Sequence, residues 1–172
     1  MRTLTDQMLA DRALSLLDGK MPRSAAVEKI IPLAKKMLQR SPRATDPYRW
    51  ALMQSALGSF YLTREAGNRR QNLRRAIQYC QNALTIFSRR KTPRRWAAIT
   101  EDLADALFHL ENGSGEAYVR KIESHLEGVA EVHDQQKNRS DLKVVSKKLK
   151  LVRELIQVEA ERKRLLKRLK RA

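Results

Sequence analysis

The chain has 172 residues, of which 42% are hydrophobic, and it carries a formal net charge of +17. This length supports one domain with a modest core, and the charge favours phosphate backbones, acidic protein surfaces or anionic lipid headgroups as partners without choosing among them. The single cysteine, Cys80, excludes an internal disulfide, and the sequence shows neither an apolar run long enough to span a membrane nor a signal peptide, so we expect a cytoplasmic protein.

Apolar residues at helical spacing begin near the N-terminus. Residues 5 to 18 carry Leu9 and Leu16 on such a pattern and end at a Gly-containing turn, which predicts a first helix. Residues 24 to 39 follow with Val27, Ile30 and Leu38, which predicts a second helix and an early, degenerate copy of the repeat described next.

A phrase of sixteen residues occurs twice in the middle of the chain. DPYRWALMQSALGSFY, residues 46 to 61, is echoed by TPRRWAAITEDLADAL, residues 92 to 107. A shift of 46 residues superposes four anchor positions: Pro47 on Pro93, Trp50 on Trp96, Leu57 on Leu103, and Gly58 on Ala104. A fixed period of this size is typical of stacked supersecondary units rather than of a catalytic domain.

Each copy carries the signals that begin a helix. Asp46 and Thr92 are N-capping residue types, and each precedes a proline at the first helical position, where the missing N–H has no cost. Apolar residues then recur at helical spacing from Trp50 and from Trp96. We therefore expect both tryptophans to be buried at equivalent positions.

A second helix completes the unit. Gly58 and Ala104 lie in the middle of the first helices, where a small residue lets another helix approach closely. Gly67 marks a turn, and residues 72 to 90 then show a new apolar stripe that includes Cys80 and Phe87. The pattern predicts a helical hairpin with Cys80 as a buried, unreactive thiol.

Several positions of this hairpin match one repeat family. In the first helix, the residues that follow the sense of the motif W-x-x-L-G-x-x-Y are Trp50, Leu57, Gly58 and Tyr61. In the second helix, the residues that resemble the small and aromatic positions of the family are Ala76, Tyr79 and Ala83. The segment resembles a tetratricopeptide repeat, in a long-helix variant with P-x-x-W-A and N-L-x-x-A-I phrases. This resemblance implies an α-solenoid that binds another macromolecule.

A long basic helix is predicted at the C-terminal end. Residues 116 to 135 form a helix that completes a third hairpin, and residues 142 to 172 continue as a helix without internal Gly or Pro. Its first half has an apolar seam that can cap the repeats: Leu142, Val145, Leu149, Val152 and Ile156. Its second half is dominated by cations and is expected to project beyond the core. We therefore divide the chain into a repeat domain, residues 1–138, and a basic helix, residues 139–172.

Cations concentrate in three clusters that are candidates for contacts with a nucleic acid or an acidic partner. The first has Arg69, Arg70, Arg74 and Arg75; the second has Arg89, Arg90, Lys91, Arg94 and Arg95; the third has Arg162, Lys163, Arg164, Lys167 and Arg168. The planar fork of arginine pairs with phosphate or carboxylate at two points, so arginine clusters suit recognition. The alternative is that the charge only keeps the surface solvated.

No pattern of catalytic residues occurs in the sequence. His109, His125 and His133 lack the i, i+4 spacing of a helical zinc pair, and there is neither a Gly-rich phosphate loop nor a nucleophile elbow. Glu101, Asp102 and Asp105 form an acidic patch, which we interpret as structural ion pairs with arginine-rich neighbours rather than as a catalytic acid–base pair. We predict no enzyme activity, no catalytic residue, no metal site and no cofactor.

The sequence as a whole predicts an all-α protein, an α-solenoid of about three antiparallel helical hairpins plus a long basic C-terminal helix. We expect a non-catalytic interaction subunit that binds another protein, within a larger complex. The alternative is a helical subunit of a ribonucleoprotein or DNA machine whose arginine clusters contact phosphates. Membrane attachment through residues 165 to 172 is disfavoured because aromatic anchors are absent there. The partner's identity and the oligomeric state stay open.

Overall fold

The computed structural model of the protein describes residues 15–16, 21–110 and 116–169. Within these residues it has six complete α-helices and no β-strand: α1 (Arg23–Arg40), α2 (Pro47–Thr63), α3 (Arg69–Leu84), α4 (Pro93–Leu110), α5 (Glu116–Gln135) and α6 (Arg139–Leu169). The all-α prediction is confirmed. The helix predicted over residues 5 to 18 lies almost entirely outside the described residues. None of the six described helices has both the length and the apolar character of a membrane span.

The chain divides into two compact units, Met1–Ser88 and Arg89–Ala172. In the first unit α1 packs on α2 and α2 on α3, and in the second α4 packs on α5 and α5 on α6. The α2–α3 pairing is antiparallel, because Gln54 of α2 meets Asn82 of α3 while Tyr61 meets Arg75. Helical hairpins are therefore the building block of each unit. The domain boundary predicted between residues 138 and 139 stays a prediction, and α6 packs on α5 within the second unit.

The starts of α2 and α4 lie where the repeated phrase predicts them, at Pro47 and Pro93. The Asp46 carboxylate accepts a hydrogen bond from the Arg49 backbone N–H at 2.9 Å, which caps α2. The Asp46 carbonyl accepts from the N–H of Trp50, and the carbonyl of Thr92 accepts from that of Trp96, both at 2.9 Å. The shift of 46 residues thus relates the two helix starts in backbone geometry as well as in sequence.

The two tryptophans are equivalent, but the prediction that they are buried was wrong. Trp50 and Trp96 are both partly exposed. An arginine covers each ring, with the guanidinium carbon of Arg43 5.2 Å from the Trp50 ring centroid and that of Arg89 5.7 Å from the Trp96 centroid. Because Arg43 and Arg89 are also 46 residues apart, the repeat includes a cation–π contact that replaces part of the expected burial.

Small residues bring the paired helices close together, as predicted. A Cβ atom at Gly58 would lie 2.7 Å from the sulfur of Cys80, which is closer than the two atoms can approach. Ala104 is completely buried, and Cys80 is a buried free thiol. The α2–α3 hairpin therefore depends on the absence of a side chain at residue 58.

The ends of α3 differ from the predicted range of 72 to 90. The helix begins earlier, at Arg69, because the Asn68 side chain accepts from the Gln71 N–H at 2.9 Å and caps it. It ends earlier, at Leu84, where the Thr85 hydroxyl donates to a carbonyl of the last turn at 2.7 Å. Phe87 lies beyond the end of α3 and is still buried. Because it continues the apolar spacing of α3, the sequence predicted a helix that is too long.

Candidate interaction surfaces

The first arginine cluster lies on the first two turns of α3. Arg69 donates through Nη1 to the Leu62 carbonyl at 2.5 Å, and the Arg75 guanidinium lies 5.4 Å from the Tyr61 ring centroid. Both side chains therefore help to hold α3 against α2. Arg70 and Arg74 are exposed and make no ion pair within the described part of the chain. Only these two are available to a partner.

The second cluster surrounds the start of α4 in the other unit. Arg89 forms an ion pair with Glu131 of α5 in addition to its contact with Trp96. Lys91 and Arg95 are exposed and have interaction partners. Arg90 and Arg94 are exposed and have no ion pair among the described residues. The number of cations in the sequence thus overstates the charge that is free to bind a partner, because some of these cations make contacts within the chain.

The third cluster lies on the projecting end of α6, where residues 161–169 are all exposed. Lys163 donates to Glu116 of α5 at 2.9 Å, and Arg162 pairs with Glu159 at 3.4 Å. The hydrogen bond from Lys163, followed by that from Arg120, lowers the pKa of the Glu116 carboxyl. The remaining members have no ion pair within the described residues: Arg164, Lys167 and Arg168.

A three-residue ion cluster ties α6 to α4. The ammonium group of Lys148 lies 2.8 Å from a carboxylate oxygen of Glu101 and 2.8 Å from one of Asp105. Burial alone would lower the pKa of Lys148, but the hydrogen bonds to Asp105 and Glu101 outweigh burial, and the pKa is raised. Glu101 and Asp105 are thus ion-paired, but their partner is a lysine of α6 and not the arginine-rich neighbours that the sequence led us to expect.

An apolar groove of about 230 Å³ lies beside this cluster, between α4 and α6. Ile122 and Leu126 of α5 form its base and are almost completely buried. Phe108 of α4 forms one wall, and Leu151 of α6, which is 50% exposed, forms the other. The groove therefore opens from a buried apolar base to the surface of the second unit.

α6 has two apolar faces. The predicted seam is buried from Val145 to Ile156 on the side that packs on α5. A second row is exposed and recurs every seven residues, and we call it the α6 stripe: Val144, Leu151, Val158 and Leu165. Residues seven apart lie on one side of a helix, two turns from each other. Leu169 is 73% exposed and extends the stripe toward the helix end.

The sequence analysis did not predict the α6 stripe, although its residues are spaced seven apart in the sequence. Val144 and Leu151 directly precede Val145 and Val152 of the buried seam, so the two rows are interleaved in the sequence. Periodicity shows that a helix has apolar residues on more than one face. It does not show which face another helix covers.

A polar cleft of about 420 Å³ lies at the other end of the second unit. It brings Arg94 together with Gln136, Asn138, Asp141 and His133, whose ring nitrogens are buried and have no hydrogen-bond partner within the described part of the chain. The Nδ1 atom of His133 is 4.0 Å from an Asp141 carboxylate oxygen. Sequence reasoning did not connect these residues, because they come from three different helices and one turn. Among the residues that the structure describes, no cluster of His, Cys, Asp and Glu is arranged to hold a metal ion.

No protein-family model, curated protein or solved structure matches this chain. The candidate surfaces therefore stand on their own geometry. They are the free arginines of the first two clusters, the cationic end of α6, and the apolar groove with the α6 stripe.

Proposed function

We propose that this protein is a non-catalytic interaction subunit that binds another protein within a larger complex. The observation that carries the proposal is the α6 stripe. Six of the seven large apolar side chains that are exposed in the described residues belong to α6, so the exposed apolar surface is concentrated on one element rather than scattered. Exposed apolar side chains that are concentrated on one element, with polar residues around them, are typical of a protein-binding site.

The repeat character supports the same proposal. The resemblance to tetratricopeptide repeats implies a partner-binding surface on the first helices of the hairpins, here α2 and α4. Tyr48, near the start of α2, is 48% exposed and is the one large apolar side chain exposed outside α6 in the described residues. We propose a cytoplasmic location, in keeping with the single buried cysteine.

The second candidate function is binding to nucleic acid. It is favoured by four exposed arginines without an ion pair among the described residues: Arg70, Arg74, Arg90 and Arg94. Phosphate contacts need such free cations, but they give no role to an exposed row of valine and leucine side chains. The protein-binding function therefore accounts for more of the surface.

Affinity capture with and without nuclease tests the proposal. The intact chain, at salt of about 150 mM or above to suppress non-specific polyanion binding, is compared with a Leu151→Gln, Leu165→Gln variant. We expect a protein partner that is retained after nuclease treatment and is lost from the leucine variant. Partners that disappear on nuclease treatment, and that depend on Arg70→Gln and Arg74→Gln instead, would establish the nucleic-acid function.

A further inference from the structure

The groove beside Lys148 meets the α6 stripe at Leu151, and we call the two together the apolar track of the second unit. Leu151 belongs to both, because it forms a wall of the groove and a member of the stripe. From Leu151 the track continues along α6 through Val158 and Leu165 to Leu169. At 1.5 Å per helical residue, this part is about 27 Å long. The track is long and narrow, which matches the shape of an α-helix rather than that of a small ligand.

The charge around the track changes along its length. At the groove, the single positive charge of Lys148 faces the two carboxylates of Glu101 and Asp105. Between residues 162 and 169 there are five cations and no acidic residue. Three of these cations, Arg164, Lys167 and Arg168, have no ion pair within the described residues. A complementary partner is therefore apolar at the groove and acidic at the far end.

A second copy of this chain is a poor occupant. If two α6 stripes paired in parallel, the cations of residues 162–169 would face the same cations of the other copy. If they paired antiparallel, these cations would face residues 143–154, where the exposed Lys143, Lys147 and Lys150 outnumber the one acidic residue, Glu154. Like charges brought together at an interface are unfavourable in both orientations.

We propose that the track binds an amphipathic α-helix of another protein, with acidic residues concentrated at the end that lies along residues 162–169. The mode is that of a helix laid in an apolar groove, which anchors residues at i, i+3, i+4 and i+7. The bound helix completes the layer between α4 and α6 above Ile122 and Leu126 and then follows the α6 stripe. This inference rests on the proposed function and names the class of partner.

A designed amphipathic helical peptide tests the inference without knowledge of the natural partner. The probe is a fluorescent helix of about 21 residues, long enough for the track at 1.5 Å per residue, with leucine at a and d positions and glutamate on the flanks of one half only. The control peptide has the same composition with its leucines moved off the stripe. Fluorescence anisotropy with the intact chain, at about 150 mM salt and above, measures both affinities.

We expect the probe to bind at least about tenfold more tightly than the control peptide, since each leucine side chain buried at the track contributes about a factor of ten. Leu151→Gln and Leu165→Gln each weaken probe binding by about that factor. Ser146→Gln introduces the same side chain at an exposed position on the opposite side of α6 and leaves the affinity unchanged. Equal affinities for the two peptides, or binding that ignores both leucine substitutions, overturns the inference.

Two further experiments distinguish a lipid surface from a protein partner, and failure of this inference from failure of the proposed function. Phosphatidylcholine vesicles with about one-third phosphatidylserine are presented to the same variants, and vesicle binding that requires Leu165 while the probe does not bind assigns the track to a lipid surface. A natural partner that resists nuclease and requires Leu151, combined with no binding of the probe, overturns the helical class of partner but leaves the proposed function intact. Loss of every captured protein on nuclease treatment overturns the proposed function itself.

Discussion

At the scale of single residues, glycines within the helices allow the two helices of a hairpin to pack closely. Gly58 faces the sulfur of Cys80, and Gly128 faces the ring of Trp96, where an added Cβ atom would lie 2.8 Å from a ring carbon. Both glycines lie within helices, where glycine is less favourable than alanine by about 1 kcal/mol. Close approach of the paired helices explains why the smaller residue occurs at these positions.

Gly58→Ala tests this close approach. The added methyl group cannot fit beside the Cys80 sulfur, so we expect the free energy of unfolding to fall by about 1–3 kcal/mol, although alanine is the better helix former. Chemical denaturation measures the loss. The double variant Gly58→Ala, Cys80→Ala removes the colliding sulfur and recovers a large part of it. A double variant that is as unstable as the sum of the two single variants would contradict the contact.

Leucines on the two faces of α6 differ in what their replacement costs. Leu149 is 8% exposed in the seam and Leu165 is 58% exposed on the stripe. We expect Leu149→Ala to lower the free energy of unfolding by about 2–5 kcal/mol and Leu165→Ala to change it by less than about 0.5 kcal/mol. Thermal and urea unfolding of both variants measure this difference. Equal costs would mean that the stripe is covered within the folded chain.

At the scale of elements, α6 combines a structural half with a projecting half. Up to Ile156 it contributes buried residues to the second unit, and Arg153 pairs with Glu123 at 2.9 Å and with Glu127 at 2.8 Å on α5. From residue 161 no described side chain is buried. The helix continues because its residues favour helix and because cations near its C-terminal end suit the helix dipole.

Two truncations separate these halves. Deleting residues 161 to 172 removes no buried residue among those described, so we expect nearly unchanged thermal stability and a monodisperse elution profile. Deleting residues 140 to 172 uncovers the apolar side of α5, and we expect a much lower unfolding temperature and aggregation. Equal stability and solubility of the two truncated proteins would contradict the structural role of the seam.

The ion cluster between α4 and α6 predicts a loss of stability at alkaline pH. The raised pKa of Lys148 means that the folded state holds this proton more tightly than the unfolded chain does. Its contribution to stability is therefore complete below the unfolded pKa of about 10.4 and is lost as the pH rises through the folded pKa. We expect the urea midpoint of the wild type to fall more steeply above that pH than that of Lys148→Arg, whose guanidinium stays charged. If the urea midpoints of the two proteins, each divided by its value at neutral pH, fall in parallel as the pH rises, Lys148 does not cause the alkaline loss of stability.

At the scale of the whole molecule, the net charge of +17 is divided between structure and surface. Four cations, on helices or in the turns next to them, pair with an acidic side chain of a different helix: Arg64, Arg89, Lys148 and Arg153. The cations without an ion pair among the described residues are on exposed surface in both units. A high net charge causes weak binding to any polyanion at low salt, so retention under those conditions carries no information on function.

Salt dependence decides whether the free arginines contact phosphates. Under the protein-binding proposal, single-stranded RNA and duplex DNA bind only weakly at about 150 mM salt and above, and replacing Arg70, Arg74, Arg90 and Arg94 by Gln leaves the log–log salt slope unchanged. If these four side chains neutralise phosphates, the slope flattens by about 3. Filter binding or anisotropy over a range of salt concentrations measures it, and a flattening of that size would favour the nucleic-acid function.

Much of the fold was determined by the sequence alone, because the deciding forces are local. An N-capping residue followed by proline begins a helix wherever it stands, and apolar residues at helical spacing give each helix one face to bury. The starts of α2 and α4 and the burial of Cys80 were predicted on these grounds. The ends of α3 were not, because the capping bond of Asn68 and the turn at Thr85 compete with periodicity within a few residues.

Only the tertiary structure decided which apolar face is covered and which cations are free. The valines at 144 and 145 are equivalent in composition, yet one is 48% exposed and the other is buried, because α5 packs on one side of α6 only. In the same way Arg69 and Arg70 are adjacent, but only Arg69 reaches a backbone carbonyl of α2. Exposure depends on the neighbours that the folded chain brings to each side chain, and these neighbours lie far away in the sequence.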